Sequence, residues 1–207
     1  MNAPEARRPL ASRSTRWAGF LSTAAVRAGF TADGISILSL LVAAAGAAAL
    51  LLLPRPWNLL ACAAGIQLRL LCNLLDGMVA IEGGKKSKVG VLYNEVPDRV
   101  ADSLFLVALG YEIGIPWLGW LAALAAAVTA YIRVLGGTFG LAQDFRGPLA
   151  KQHRMFVMTL GCLIGCGEYF VDGGERAVIA AAWIIAIGAI VTCGTRIHAI
   201  ARQLKAR

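Results

Sequence analysis

The stretch Asn73–Asp102 reads NLLDGMVAIEGGKKSKVGVLYNEVPDRVAD and decides how the rest of the chain is read. Two apolar segments meet there around a knot of carboxylates, carboxamides and lysines. Charged groups in or beside a bilayer are costly, and by default they mark a functional site. On a helix, Asn73, Asp76 and Ala80 stand at i, i+3 and i+7, one turn apart. Gly83 and Gly84 then break that helix. Asn94, Asp98 and Asp102 follow at i, i+4 and i+8 on one face of the next. A short connection predicts two antiparallel neighbours whose polar faces meet across a cleft. Oxygen ligands converging from two rigid helices are what a hard divalent cation needs. Gly77 and Gly90 let a ligand approach the backbone. Glu95, about 100° round the helix from Asn94, is expected to face elsewhere.

Outward from this stretch the chain is apolar. Of 207 residues 58% are hydrophobic and 15% charged, with a mean hydropathy of +0.67. A soluble domain of this size carries more charge. Six runs are long enough to cross a hydrocarbon core of roughly 30 Å: about 35–53, 58–81, 96–114, 117–137, 156–171 and 177–197. The fifth is the weakest, diluted by Gly161, Gly165 and Gly167 and capped by Glu168. In residues 1–33, Arg13, Arg16 and Arg27 alternate with Trp17, Phe20, Leu21 and Val26, which suits an amphipathic helix on a membrane surface. No apolar core with a cleavage site precedes the first span, so a signal peptide is not expected. The predicted fold is an all-α integral membrane protein. A six-transmembrane-helix bundle over 34–207 follows an N-terminal tail and amphipathic interfacial helix over 1–33.

Charge sets the predicted topology. With a cytosolic N-terminus, the inside segments hold Arg7, Arg8, Arg13, Arg16 and Arg27, then Lys85, Lys86 and Lys88. They also hold Arg146, Lys151 and Arg154, then Arg196, Arg202, Lys205 and Arg207. The outside loops hold only Arg55 and Arg176, near Glu112, Glu168, Asp172 and Glu175. This is a positive-inside bias. An even number of spans puts both termini and the polar cleft in the cytosol, as in a bacterial inner membrane. The net charge of +8 then faces anionic lipid headgroups. The basic residues are spread over separate loops, so a nucleic-acid partner is not expected. Cys62, Cys72, Cys162, Cys166 and Cys193 all sit in apolar segments and read as small membrane-core residues.

The central stretch resembles the CDP-alcohol phosphotransferase family of membrane enzymes, whose pattern is D-x-x-D-G-x-x-A-R, about eight residues, then G-x-x-x-D-x-x-x-D. Asp76, Gly77, Ala80, Gly90 and Asp98 meet it, and Ser87 fits the loop. Asn73 and Asn94 stand at two aspartate positions, and Ile81 stands at the arginine. Thr31-Ala32-Asp33-Gly34-Ile35-Ser36 loosely matches the family's T-P-N-x-[IV]-T segment. The resemblance implies transfer of a substituted phosphate from a CDP-linked lipid, such as CDP-diacylglycerol, to a small alcohol, with release of CMP. It implies one or two divalent ions, Mg²⁺ or Mn²⁺, and a homodimer. Carried over by position, Asp98 is the general base. Asp76, Asp98, Asn73 and Asn94 are metal ligands. Gly77, Ala80, Ser87, Gly90 and Lys85 lie at the nucleotide. Arg133, Lys151 and Arg154 hold phosphate or acceptor.

Two of four expected carboxylates are carboxamides, which weakens metal binding in a low dielectric. One ion is lost, or Asp102, Glu95 and Glu82 compensate, or the protein is a non-catalytic relative that keeps the fold and binds nucleotide or lipid headgroup. Asp102 has a second reading. Arg69 lies one turn deeper than Asn73 on the partner helix, where it forms a buried pair with Asp102.

Overall fold

In the computed structural model, which describes residues 15–82 and 90–207, the chain forms seven α-helices, α1 Arg16–Arg27, α2 Ala32–Leu52, α3 Trp57–Glu82, α4 Gly90–Glu112, α5 Pro116–Thr138, α6 Lys151–Asp172 and α7 Arg176–Lys205. No strand occurs among the described residues. Lys85 and Ser87 lie outside them, as do Lys86 and Lys88, and the side chain of Glu82 is likewise not described. Five helices (α2, α3, α5, α6 and α7) are long and apolar enough to cross a membrane. α4 has 23 residues, but Glu95, Asp98, Arg99, Asp102 and Glu112 set it apart from the other five.

Helix ends follow local chemistry. The Thr31 side chain accepts from Gly34 N at 3.1 Å and starts α2. Pro116 occupies the first turn of α5, where its missing N–H costs nothing. Gly173, at φ 70°, ends α6 in the left-handed conformation glycine favours. α6 starts at Lys151 rather than at residue 156, so Lys151 and Arg154 lie in its first turns.

The six long helices close a ring. The packed pairs are α2 with α3, α3 with α6, α6 with α7, α7 with α5, α5 with α4, and α4 with α2. α3 and α4, expected as neighbours, are not among them. Each lies against α2, and their side chains meet across the interior. The reason is a narrow face on α2. A Cβ at Gly46 would lie 3.0 Å from the Phe105 ring of α4 and 3.2 Å from Gly65 Cα of α3. Only a residue without a side chain lets α2 wedge between both.

The interior is built mainly from small residues. Ala43, Ala47, Ala101, Ala122, Ala126, Ala182 and Ala186 are buried with Phe105, Leu109 and Ile185. Leu41, Leu52, Leu124, Phe156, Phe170 and Ile184 are exposed on the outside. Close backbone approach inside and large apolar residues outside is the pattern of helices packing in lipid. The glycines of the fifth span belong to this packing: a Cβ on Gly161 would meet Ala181 at 2.6 Å, and one on Gly165 would meet Val178 at 2.5 Å. What dilutes hydropathy there brings α6 onto α7. α1 packs against α3, with Ala18 buried and Phe20 exposed.

Candidate active site

Asp76 and Asn73 occupy successive turns of α3 and are held by α2. Ser36 Oγ donates to Asp76 Oδ2 at 2.8 Å, and Ser39 Oγ donates to Asn73 Oδ1 at 2.9 Å. Asp76 is 3% exposed, and its Oδ1 has no hydrogen-bond partner among the described residues. A buried acceptor without a donor is costly unless a cation or water completes it. Ser36 closes the Thr31–Ser36 segment that loosely matched the family, so that weak echo carries a defined contact.

Asp98 receives cationic groups from two sides. Arg69 Nη2 lies 3.2 Å from its Oδ1, and Asn73 Nδ2 donates to the same oxygen at 2.9 Å. Lys151 Nζ lies 2.5 Å from Oδ2. One turn deeper, Asp102 is bracketed by Arg69 at 2.8 Å and Arg154 at 3.1 Å. The expected Arg69–Asp102 pair is therefore present, and it is not isolated. Arg154 ties it to α6, while its Nη1 donates to Leu149 O at 2.8 Å. Arg69 and Arg154 are 0% and 1% exposed. Breaking such a network by removing one partner leaves an uncompensated charge, at about 3–5 kcal/mol.

Above this network lies a cavity of about 560 Å³. Asn73, Asn94 and Asp98 line it, with Arg133, Lys151 and Arg154. Glu95 lines it too, contrary to the expectation that it faces elsewhere. The cavity is wide enough to take adjacent residues of α4, and Arg133 draws the Glu95 carboxylate inward. Arg133 Nη2 lies 2.6 Å from Glu95 Oε2 and Arg99 Nη2 lies 3.1 Å from it. Arg133 Nη1 donates to Gln143 Oε1 at 2.8 Å, and its guanidinium lies 5.2 Å from the Phe145 ring centroid. Trp17 of α1 also reaches the cavity.

Arg196 was legible only as one more basic residue, yet it fixes the opposite wall. Its Nη1 donates to Thr129 O at 2.6 Å and its Nε to Arg146 O at 2.9 Å. Among the described residues, four arginines hold the α5–α6 connection: Arg133 through Gln143, Arg154 through Leu149, Arg196 through Arg146, and Arg207 through Phe139 and Gly140. Among the described residues, five basic ones (Arg99, Arg133, Lys151, Arg154, Arg196) and two acidic ones (Glu95, Asp98) line the cavity. Such a wall attracts anions.

Not every expected residue reaches the cavity. Asp76 and Asp102 are buried beside it and do not line it; Gly77, Ala80 and Gly90 are partly exposed and lie off it. Among the described residues, no group of three or more His, Cys, Asp or Glu side chains is placed to hold a metal ion. His153 Nδ1 is 3.0 Å from Pro148 O, outside the cavity wall.

No protein-family model matches the chain. Among curated proteins, it is 26% identical over 190 residues to a phosphatidylinositol phosphate synthase of Mycobacteroides abscessus, covering 87% of this chain and 81% of that one. It is 26% identical over 200 residues to the synthase of the same name from Streptomyces avermitilis, covering 91% and 78%. Among solved structures, the fold matches the Mycobacterium tuberculosis phosphatidylinositol phosphate synthase with CDP-DAG bound, at a TM-score of 0.74 and 23% identity, covering 90% of this chain and 94% of that one. The same protein in complex with manganese and citrate matches at a TM-score of 0.74 and 22% identity, covering 88% of each chain.

Proposed function

We propose that this chain is an integral membrane enzyme of the CDP-alcohol phosphotransferase type. It transfers a phosphatidyl group from a CDP-linked lipid to the hydroxyl of a small alcohol that carries a phosphate, and releases CMP. The observation that carries this reading is the cation-lined cavity with Asp98 on its wall, in a fold shared with a protein solved with CDP-DAG bound. The two curated relatives named above are phosphatidylinositol phosphate synthases, which is why the acceptor is assigned a phosphate. That group adds two negative charges or nearly so; Arg133 is placed to meet it, with Lys151 and Arg154 adding positive charge to the same wall while they stay on their own carboxylates.

In this reading Asp98 takes the proton of the attacking hydroxyl. A new O–P bond forms at the phosphatidyl phosphorus as the bond to the CMP oxygen breaks. Lys151, fixed on Asp98, lies where pyrophosphate charge must be balanced. The residues suit a single divalent ion, Mg²⁺ or Mn²⁺, better than two. Asp76 presents a buried oxygen without a donor, whereas Asp98 is already engaged by Arg69 and Lys151. Asp76, Asp98 and the Asn73 carbonyl would hold that ion, with Asn94 beside them. Neutralisation of pyrophosphate charge is the chemistry it would supply. Gly77, Ala80, Gly90, Ser87 and Lys85 belong to the nucleotide side. α4 is the sixth span, α1 lies at the interface, and the cavity and both termini face the cytosol across a bacterial inner membrane. Two chains form a homodimer.

A second reading is a non-catalytic relative, favoured by Asn73, Asn94 and the engagement of Asp98. Purified protein supplied with CDP-diacylglycerol, Mg²⁺ and a panel of alcohols with and without phosphate separates the two. CMP release that depends on a phosphorylated acceptor supports the enzyme. Folded protein that releases no CMP with any acceptor retires it.

A further inference from the structure

We propose that Glu95 is a specificity residue: its carboxylate occupies the anion site formed by Arg99 and Arg133 and yields that site to a phosphate dianion but not to a weaker anion. This rests on the reading that the cavity takes a phosphorylated acceptor. The two guanidiniums converge on one oxygen, Glu95 Oε2, at 3.1 and 2.6 Å. They form a ready-made anion fork, and its present occupant belongs to the protein.

The partners differ in how firmly they are held. The Arg133 side chain is 9% exposed and fixed by Gln143 and Phe145. The Glu95 side chain is 37% exposed and, among the described residues, is fastened by the two arginines it serves. A competing anion therefore displaces Glu95 toward solvent and leaves Arg133 in place. The other cavity cations offer no such exchange. Arg154 is committed to Asp102 and Leu149 O, Arg196 to two backbone carbonyls, and Lys151 to Asp98. Taking any of these would break a contact to a buried carboxylate or a structural carbonyl. Of the two acids on the wall among the described residues, Glu95 is the one that can leave cheaply.

The exchange is selective by charge. A phosphate monoester brings about −1.5 to −2 and three acceptor oxygens to the fork, against one charge and two oxygens from Glu95. An external carboxylate brings no more than Glu95 does, and it must also give up its freedom on binding. The tethered carboxylate thus acts as a threshold.

The test uses the full chain in detergent or nanodiscs, with inorganic phosphate and acetate as probes and calorimetry as the readout. Wild type is expected to bind phosphate and to show no acetate binding at the same concentration. Glu95→Gln is expected to bind phosphate about tenfold more tightly and to bind acetate measurably. Adding Arg133→Ala to that variant should remove both gains. Glu95→Asp, which keeps the charge but falls short of Arg133, should also tighten phosphate binding; it serves if Glu95→Gln fails to fold. Phosphate binding no tighter than wild type in a folded Glu95 variant overturns the proposal. No turnover is involved. Tighter phosphate binding without any CMP release would retire the transfer reading alone, and CMP release with unchanged phosphate affinity would retire this one alone.

Discussion

The two ends of the helix ring are both held by ion pairs, but they are built to opposite purposes. At the end away from the cavity, Arg55 bridges Glu112 at 2.8 Å and Glu175 at 2.9 Å, and Asn58 Nδ2 donates to Glu112 at 2.8 Å. Arg176 pairs with Asp172 and lies 3.7 Å from Glu168, whose Oε2 accepts from Ala177 N at the start of α7. Acids outnumber bases there, and the Arg176 and Asp172 side chains are 72% and 42% exposed. At the cavity end bases outnumber acids, and Arg69 and Arg154 are almost fully buried. One end closes the helix connections with charges that satisfy one another. The other holds surplus positive charge beside a space large enough for a ligand. Ion pairs alone therefore do not mark a site here; an excess of one sign around a cavity does.

Mutations at the two ends should differ most in stability. Arg69→Ala takes one cationic partner from both Asp98 and Asp102, leaving Lys151 and Arg154, and should cost about 3 kcal/mol, the lower end for a broken buried pair, read as a large drop in thermal midpoint in detergent. Arg176→Ala at the exposed end should cost about 1 kcal/mol or less. Arg69→Ala with Asp102→Ala should recover part of the loss and no more, because Arg154 then lacks its carboxylate. Equal losses for Arg69→Ala and Arg176→Ala would break the contrast. A double variant at least as damaged as the single one would remove the pairing as its cause.

For chemistry, Asp98→Asn should lower transfer by about 100- to 10,000-fold at unchanged CDP-lipid binding, followed as CMP release beside a binding isotherm. Arg133→Ala should raise the KM for a phosphorylated acceptor by about tenfold or more and leave a neutral alcohol unaffected. Arg55→Ala, at the other end, should leave both constants alone.

Much of this was legible in the sequence. Hydropathy located all six long helices, although only five of them are apolar enough throughout to qualify as spans. The i, i+4, i+8 spacing of Asn94, Asp98 and Asp102 revealed α4 despite its charges. One-turn arithmetic on two antiparallel helices paired Arg69 with Asp102. What escaped was contact between residues far apart in sequence. Ser36 and Ser39 reach Asp76 and Asn73 across 40 and 34 positions, and nothing periodic announces that. Helix-wheel reasoning turned Glu95 away because it treated the cleft as a line, whereas the cavity is broad and Arg133 pulls the carboxylate in. The spacing also made α3 and α4 neighbours. Sequence adjacency does not reveal a wedge such as α2, which depends on Gly46 and on Gly65 facing it.

A smaller effect tests the metal assignment. Asn73→Asp with Asn94→Asp should tighten Mn²⁺ binding and raise its stoichiometry above one per chain, measured by electron paramagnetic resonance titration. Two ions per chain in wild type would contradict the single-ion donor set. The smallest effect belongs to the α5–α6 connection. Burial pushes the Asp144 carboxyl up, but the Arg146 side chain and backbone N–H bring it below its usual value overall. A lowered value means that the anchoring is complete above the ordinary carboxylate range and lost as pH falls through the lowered value. Amide protection over residues 144–150, taken relative to the intrinsic exchange rate at each pH, should fall slightly on acidification to about pH 3, and Asp144→Asn should make that protection insensitive to pH.

The ring order has a consequence for assembly. Consecutive helices pair as three hairpins, α2–α3, α4–α5 and α6–α7, each closed by a connection of a few residues at the end away from the cavity. The buried network draws on all three: Arg69 and Asn73 from the first, Asp98 and Asp102 from the second, and Lys151 and Arg154 from the third. No single hairpin can satisfy its own charges within the bilayer. The ion pairs are therefore complete only where all three hairpins meet.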